Sequence, residues 1–147
     1  MGECGQKALA YSGAVTKTAK TAAEMIGGMD PVMVAGDVAF ASITDPQLLA
    51  QLLPLARAVF REAEGISLIL PLADHPDRAN AAPMRQITLK VYSDLEGVGL
   101  TAAVATALAA EGIACNMVAA HHHDHVFMPS DRATEALTIL LDLQKSR

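Results

Sequence analysis

Apolar and polar positions alternate along this chain with two periods, and each change of period marks an element. Ala22, Ile26 and Met29 recur at helical spacing after Thr18, and Gly27, Gly28 and Pro31 end that segment. Residues 36–43, GDVAFASI, are rich in β-formers and follow a glycine, which predicts a strand. Thr44 or Asp45 then caps a short helix, with Pro46 suited to its first turn and Leu48, Leu49, Leu52 and Leu53 along one face. Residues 57–62 and 66–72 read as a hairpin about a turn at Glu64 and Gly65.

Residues 73–83, ADHPDRANAAP, are polar, contain two prolines and have no period, as a linker does. Beyond them Ile87, Leu89 and Val91 alternate with Thr88, Lys90 and Tyr92, the pattern of a half-buried strand. Leu100, Ala103, Val104, Ala107 and Leu108 then line one face of a helix, and Gly112 stands where a C-terminal glycine belongs. IACNMVAA and HVFMP read as strands. Ser130 and Asp131 open a last helix carrying Ala133, Ala136, Leu137, Leu140 and Leu141 on one face.

Strand, helix, strand, strand thus occurs on both sides of the linker, with an extra helix before the first copy and after the second. The expectation is an α+β fold of two small sandwiches, mainly antiparallel sheets with helices on one face. Residues 1–18 form a loose extension, 19–72 the first half, 73–84 the linker and 85–147 the second half. No fourth strand is legible in the second half; it has to come from the first half or from another subunit.

Composition narrows the partners. Of 147 residues 52% are hydrophobic and 18% charged, enough for a core, but aromatics are only 3% and Trp is absent. Leu, Ile, Val, Ala and Met must therefore fill that core. A net charge of −5 argues against nucleic acid and anionic membranes, which reward dense Lys and Arg. Cys4 and Cys115 lie too far apart in sequence for a CxxC pair and fit a reducing, cytoplasmic setting. No apolar run approaches the roughly 20 residues that span a bilayer. The N-terminal stretch also makes a poor signal peptide.

The most concentrated chemistry is HHHDH, residues 121–125. On a straight strand His121, His123 and His125 share a face but span about 13 Å, too far for one ion. A turn at Asp124 would bring two of them together. No GxSxG, P-loop, GxGxxG or HExxH is present, so no catalytic residue, cofactor or metal is assigned. Cys115, between Ala114 and Asn116 in an apolar stretch, reads as a buried thiol. Arg57, Arg61, Glu62 and Glu64 read as solvent-facing.

With residues 93–120 read, the chain resembles the ACT domain, a ferredoxin-like βαββαβ regulatory module. The resemblance rests on Asp94, Gly97 and Gly99 in the loop, the Ala/Leu-rich helix to Glu111, Gly112 and Ile113, and Asn116 in the next strand. The run into HHHDHVFMP, with FREAEGISLIL in the first half, further resembles a family of small bacterial proteins with two ACT-like halves. The resemblance extends over residues 22–143. It implies a regulatory protein that binds an amino-acid-like small molecule, with output through a partner or a change of assembly, and at least a homodimer. The implied ligand site is Ser93, Asp94, Leu95, Glu96, Gly97, Val98, Gly99 and Leu100, with Asn116 and His123 beside it. Glycines let a backbone approach a ligand, helix-start N–H groups attract a carboxylate, and Asp94 or Glu96 can hold an ammonium group. Two rivals remain: a metal- or His-dependent enzyme using residues 121–125, and a ligand-free assembly module whose 94–100 loop is packed shut.

Overall fold

The computed structural model describes residues 17–146, so Cys4 and most of the expected N-terminal extension lie outside the described residues. The first helix, α1 (Ala22–Gly27), is only six residues long and is held by a capping box. Thr21 Oγ1 accepts the Glu24 N–H, and Glu24 Oε2 accepts the N–H groups of Thr21 and Lys20. Met29, expected on this helix, lies beyond its end but is buried in the same core. Pro31, expected only to stop the helix, begins a short strand, β1 (Pro31–Met33).

The first half continues with β2 (Val38–Ile43), α2 (Pro46–Leu52), β3 (Ala58–Arg61) and β4 (Ile66–Pro71). Asp45 is the cap of α2, accepting the N–H groups of Gln47 and Leu48, and Pro46 occupies its first turn. The second half is β5 (Met84–Leu89), α3 (Leu100–Ala110), β6 (Asn116–Ala119), β7 (Asp124–Pro129) and α4 (Ala133–Lys145). Ser130, Asp131 and Arg132 form a 3-10 turn before α4 rather than its opening. Gly112 has φ 67°, the left-handed value its place after α3 requires.

All seven strands join one antiparallel sheet in the order β3-β4-β2-β5-β7-β6, with β1 also on β5. β5 is the hub. It pairs along its length with β7, from Met84↔Pro129 to Leu89↔Asp124. Its other edge takes β1 (Pro31↔Leu89 to Met33↔Ile87) and then meets β2 at Val38↔Met84. The fourth strand of the second half is therefore β1, supplied by the first half. Ser130 Oγ donates to Asp37 at 2.6 Å and Arg85 reaches the same carboxylate at 3.6 Å, a further tie between the halves.

Three apolar clusters follow from the alternation. Met25, Ile26, Val104, Leu108, Ala136 and Leu140 on the helices pack over Ile87, Leu89, Val126 and Met128 of the sheet. Ile43, Leu52, Leu68 and Leu70 form a smaller core under α2. The third lies on the face that carries no helix. Ala58, Ile69, Val38, Met84, Phe127 and Val118 meet there, one from each of the six strands in sheet order. Since the first and last strands reach one cluster, the sheet is curled around it. Phe127 is only 2% exposed although no helix covers it.

Candidate functional site

Two places carry chemistry, one on each face of the sheet. The first is the loop between β5 and α3. The Asp94 carboxylate accepts the Glu96 N–H, and its carbonyl accepts the Gly97 N–H, which shapes a tight turn. Gly99 has φ 116°, a conformation that strains any side chain, and it begins α3 with no side-chain cap. The first N–H groups of α3 therefore lack the usual side-chain acceptor. Ser93 Oγ donates at 2.7 Å to Asp124, a residue only 8% exposed.

The loop is covered by the chain itself. A Cβ on Gly97 would stand 2.8 Å from Met25 Sδ, and one on Gly99 would stand 2.8 Å from Ala22 Cβ. Both glycines admit α1. What remains is a cavity of about 80 Å³ among Ser93, Asp94, Leu95, Gly97, Leu100 and Thr101, with Met25, Ala119 and Asp124 behind. Small-molecule pockets run from about 300 Å³ upward. Of the residues expected here, Glu96 and Val98 point to solvent, Val98 being 82% exposed. Asn116 is exposed beside Phe40 and Met84 on the helix-free side, away from the loop. His123 Nδ1 lies 3.3 Å from the Val91 carbonyl, and its ring packs on Tyr92 at 4.9 Å.

Asp124 does not form the expected turn. It is the first residue of β7, paired with Leu89 and Ala119, and the turn is made by residues 120–123, with the Ala120 N–H donating to the His123 carbonyl. His121 and His122 meet edge-on at 4.8 Å, and His122 meets Tyr92 edge-on at 6.0 Å. Among the described residues no three His, Cys, Asp or Glu side chains are placed to hold one ion. Cys115 is half-buried, and burial pushes its thiol pKa up.

The second place, which the sequence did not reveal, is a cleft of about 380 Å³ in the curled, helix-free face. Its polar groups are Arg57, Gln86 and His125; Val34, Ala58, Val118, Ala120 and Phe127 make up the rest. Arg57 is exposed, as expected, and also bridges the halves: Nη1 donates to Gln86 Oε1 and Nη2 to the Ala35 carbonyl, each at 3.0 Å. Because arginine only donates, Gln86 must present its oxygen to Arg57 and its NH₂ to the other side. That NH₂ is 3.2 Å from Thr88 Oγ1 and 3.1 Å from His125 Nδ1, and Thr88 Oγ1 is 3.0 Å from the same nitrogen. Nδ1 is thus the acceptor and Nε2 carries the proton of neutral His125. Burial, then the neighbouring His123, lowers the His125 pKa, with Asp124 opposing. Gln86 is 8% exposed, so the set is held from beneath. Gln86 and Thr88 alternate with Ile87, but nothing in that alternation says that a curled sheet buries the outer row.

Two ACT-domain profiles match the chain, over residues 19–88 and 82–142. A protein of unknown function from Vibrio cholerae, described as a possible transport protein, is 40% identical, superposes with a TM-score of 0.69, and is matched over 79% of this chain and 89% of its own. The chain therefore belongs to the ACT-domain family, a class of regulatory modules, and carries two of its units in tandem. More distant structures share the fold. A protein from Agrobacterium tumefaciens is 15% identical with a TM-score of 0.60, covering 78% of this chain and 87% of its own. The regulatory subunit of aspartate kinase from Thermus flavus is 10% identical with a TM-score of 0.53, covering 77% and 95%. No curated protein matches the sequence. No helix among the described residues is long and apolar enough to cross a membrane.

Proposed function

We propose that this tandem ACT protein is a regulatory module that binds an amino-acid-like small molecule at the loop between β5 and α3. Ser93, Asp94, Leu95, Gly97 and Leu100 surround the ligand, with Glu96, Val98 and Gly99 shaping the loop; Asn116 and His123 are not among the residues that line this cavity. The observation that carries this reading is the pairing of opposite attractions around one cavity. The start of α3 offers N–H groups that lack a side-chain cap, which suit a carboxylate. Asp94 and Asp124 line the same cavity and suit an ammonium group. With about 80 Å³ of room, entry goes with displacement of Met25, so binding is coupled to the position of α1.

The protein works as a homodimer or larger assembly in the cytoplasm. The outer edges of β3 and β6 have no strand partner among the described residues, and such edges need cover. Output goes to a partner or to the assembly itself, and only differential affinity for two arrangements does work.

A thermal-shift screen against the twenty amino acids tests this. A ligand that binds only the folded state, at about 100 times its dissociation constant, adds roughly 2.7 kcal/mol and raises the melting temperature. Asp94→Ala and Thr101→Phe, which alter the cavity wall, are expected to remove that shift. If no amino acid stabilises the protein, the reading fails. The close packing of α1 on Gly97 and Gly99 favours a second reading, a ligand-free assembly module, and that negative result with a dimer by sedimentation would select it.

A further inference from the structure

We infer that the helix-free cleft is a second binding site, separate from the loop, and that it takes a small carboxylate with an apolar body and no ammonium group. The charge comes from Arg57. Its two hydrogen bonds, to Gln86 and to the Ala35 carbonyl, fix the plane of the guanidinium and leave N–H groups over. Among the described residues it makes no salt bridge with a carboxylate. A guanidinium held in place by neutral acceptors matches the geometry of a bound carboxylate, to which it donates in pairs.

The second donor is His125 Nε2, the protonated nitrogen once Gln86 and Thr88 have claimed Nδ1. Arg57 and His125 are linked through one buried side chain, Gln86, so the charged and the neutral donor keep a fixed relation before any ligand arrives. Such preorganisation reduces what binding must order. Around these donors the wall is Val34, Ala58, Val118, Ala120 and Phe127, which suits a short branched aliphatic body. Among the described residues no acidic side chain lines the cleft, so none of them there receives an ammonium group. The loop site has the opposite character, with Asp94 and Asp124 in its wall. At about 380 Å³ the cleft falls in the size range of small-molecule sites. Its walls come from both halves, with Arg57 and Ala58 from the first and β5, β6 and β7 from the second, so an occupant bears on how the halves sit.

The test is titration of the full chain with 3-methylbutanoate, followed by calorimetry and by the imidazole resonances of His125. Saturable binding that moves the His125 signals is expected. Arg57→Gln should weaken it by about tenfold or more, as loss of charge-assisted donors does. Ala120→Phe, which fills the cleft and removes no side-chain hydrogen bond, should weaken it similarly, and covers the case in which Arg57→Gln unfolds. 3-Methylbutanamide should bind at least about tenfold more weakly than the acid. Thr101→Phe, in the wall of the loop cavity, should leave binding unchanged. The inference is overturned by no saturable binding at millimolar acid, by equal binding of the amide, or by binding that survives Ala120→Phe and is lost in Thr101→Phe.

Discussion

His125 shows how a single side chain reports the state of the molecule. Its pKa is lowered, chiefly by burial and secondarily by His123, with Asp124 opposing. In the unfolded chain an imidazole titrates near about 6.5. A folded value below that means the unfolded chain binds the proton more readily as pH falls. The stability that neutral His125 contributes is therefore complete above about 6.5 and is lost as pH drops through the folded value. His125→Asn keeps an acceptor for Gln86 and Thr88 and cannot titrate. Denaturant unfolding at pH 7.5, 6.5 and 5.5 is expected to show a shallower acid decline in that variant than in the parent. Equal slopes would assign the decline to other groups.

Among the elements, α1 is the one whose presence is least explained by its own length. Six residues make a marginal helix, and nucleation alone disfavours it. Two features hold it: the Thr21–Glu24 capping box and the burial of Met25 and Ile26, worth about 1.5–3 kcal/mol for each side chain. Glu24 has its pKa lowered, first by the backbone N–H of Lys20 and then by that of Thr21. Its contribution is present above the unfolded value and fades as pH falls through the folded one. Thr21→Ala removes the cap and is expected to destabilise by about 0.5–2 kcal/mol. Because Ala22 and Met25 rest on Gly99 and Gly97, amide exchange should quicken together in α1 and in residues 94–99 and stay unchanged in β5 and β7. Exchange that quickens in α1 alone would separate the helix from the loop.

For the whole molecule, the cluster built from six strands decides cooperativity. Phe127 sits at its centre with the Phe40 ring edge-on at 5.9 Å and 81°. Phe127→Ala should lower stability by about 3–5 kcal/mol. Since both halves contribute to the cluster and share one sheet, calorimetry of the parent is expected to give one transition with matching calorimetric and van't Hoff enthalpies. Two separated transitions would mean that the halves hold themselves up independently.

Local patterning alone determined much of this protein. Alternation at Ile87 and Leu89, the Asp45–Pro46 start of α2, the glycine after α3 and the apolar face of α4 each follow from neighbours within a turn or two. So did the ACT resemblance, because it rests on a contiguous loop, helix and strand. What needed tertiary structure was everything set by pairings distant in sequence. β1 is three residues long and opens with proline, a signal too short to read, and it is a strand only because the free edge of β5 accepts it. Nor was it legible that the glycines at 97 and 99 stand against α1, some seventy residues earlier. Arg57 and Gln86 carried no motif. They line one cleft because the sheet curls, bringing positions distant in sequence together. Sheet curvature and edge pairing are sums over many strands, and no window of sequence contains them.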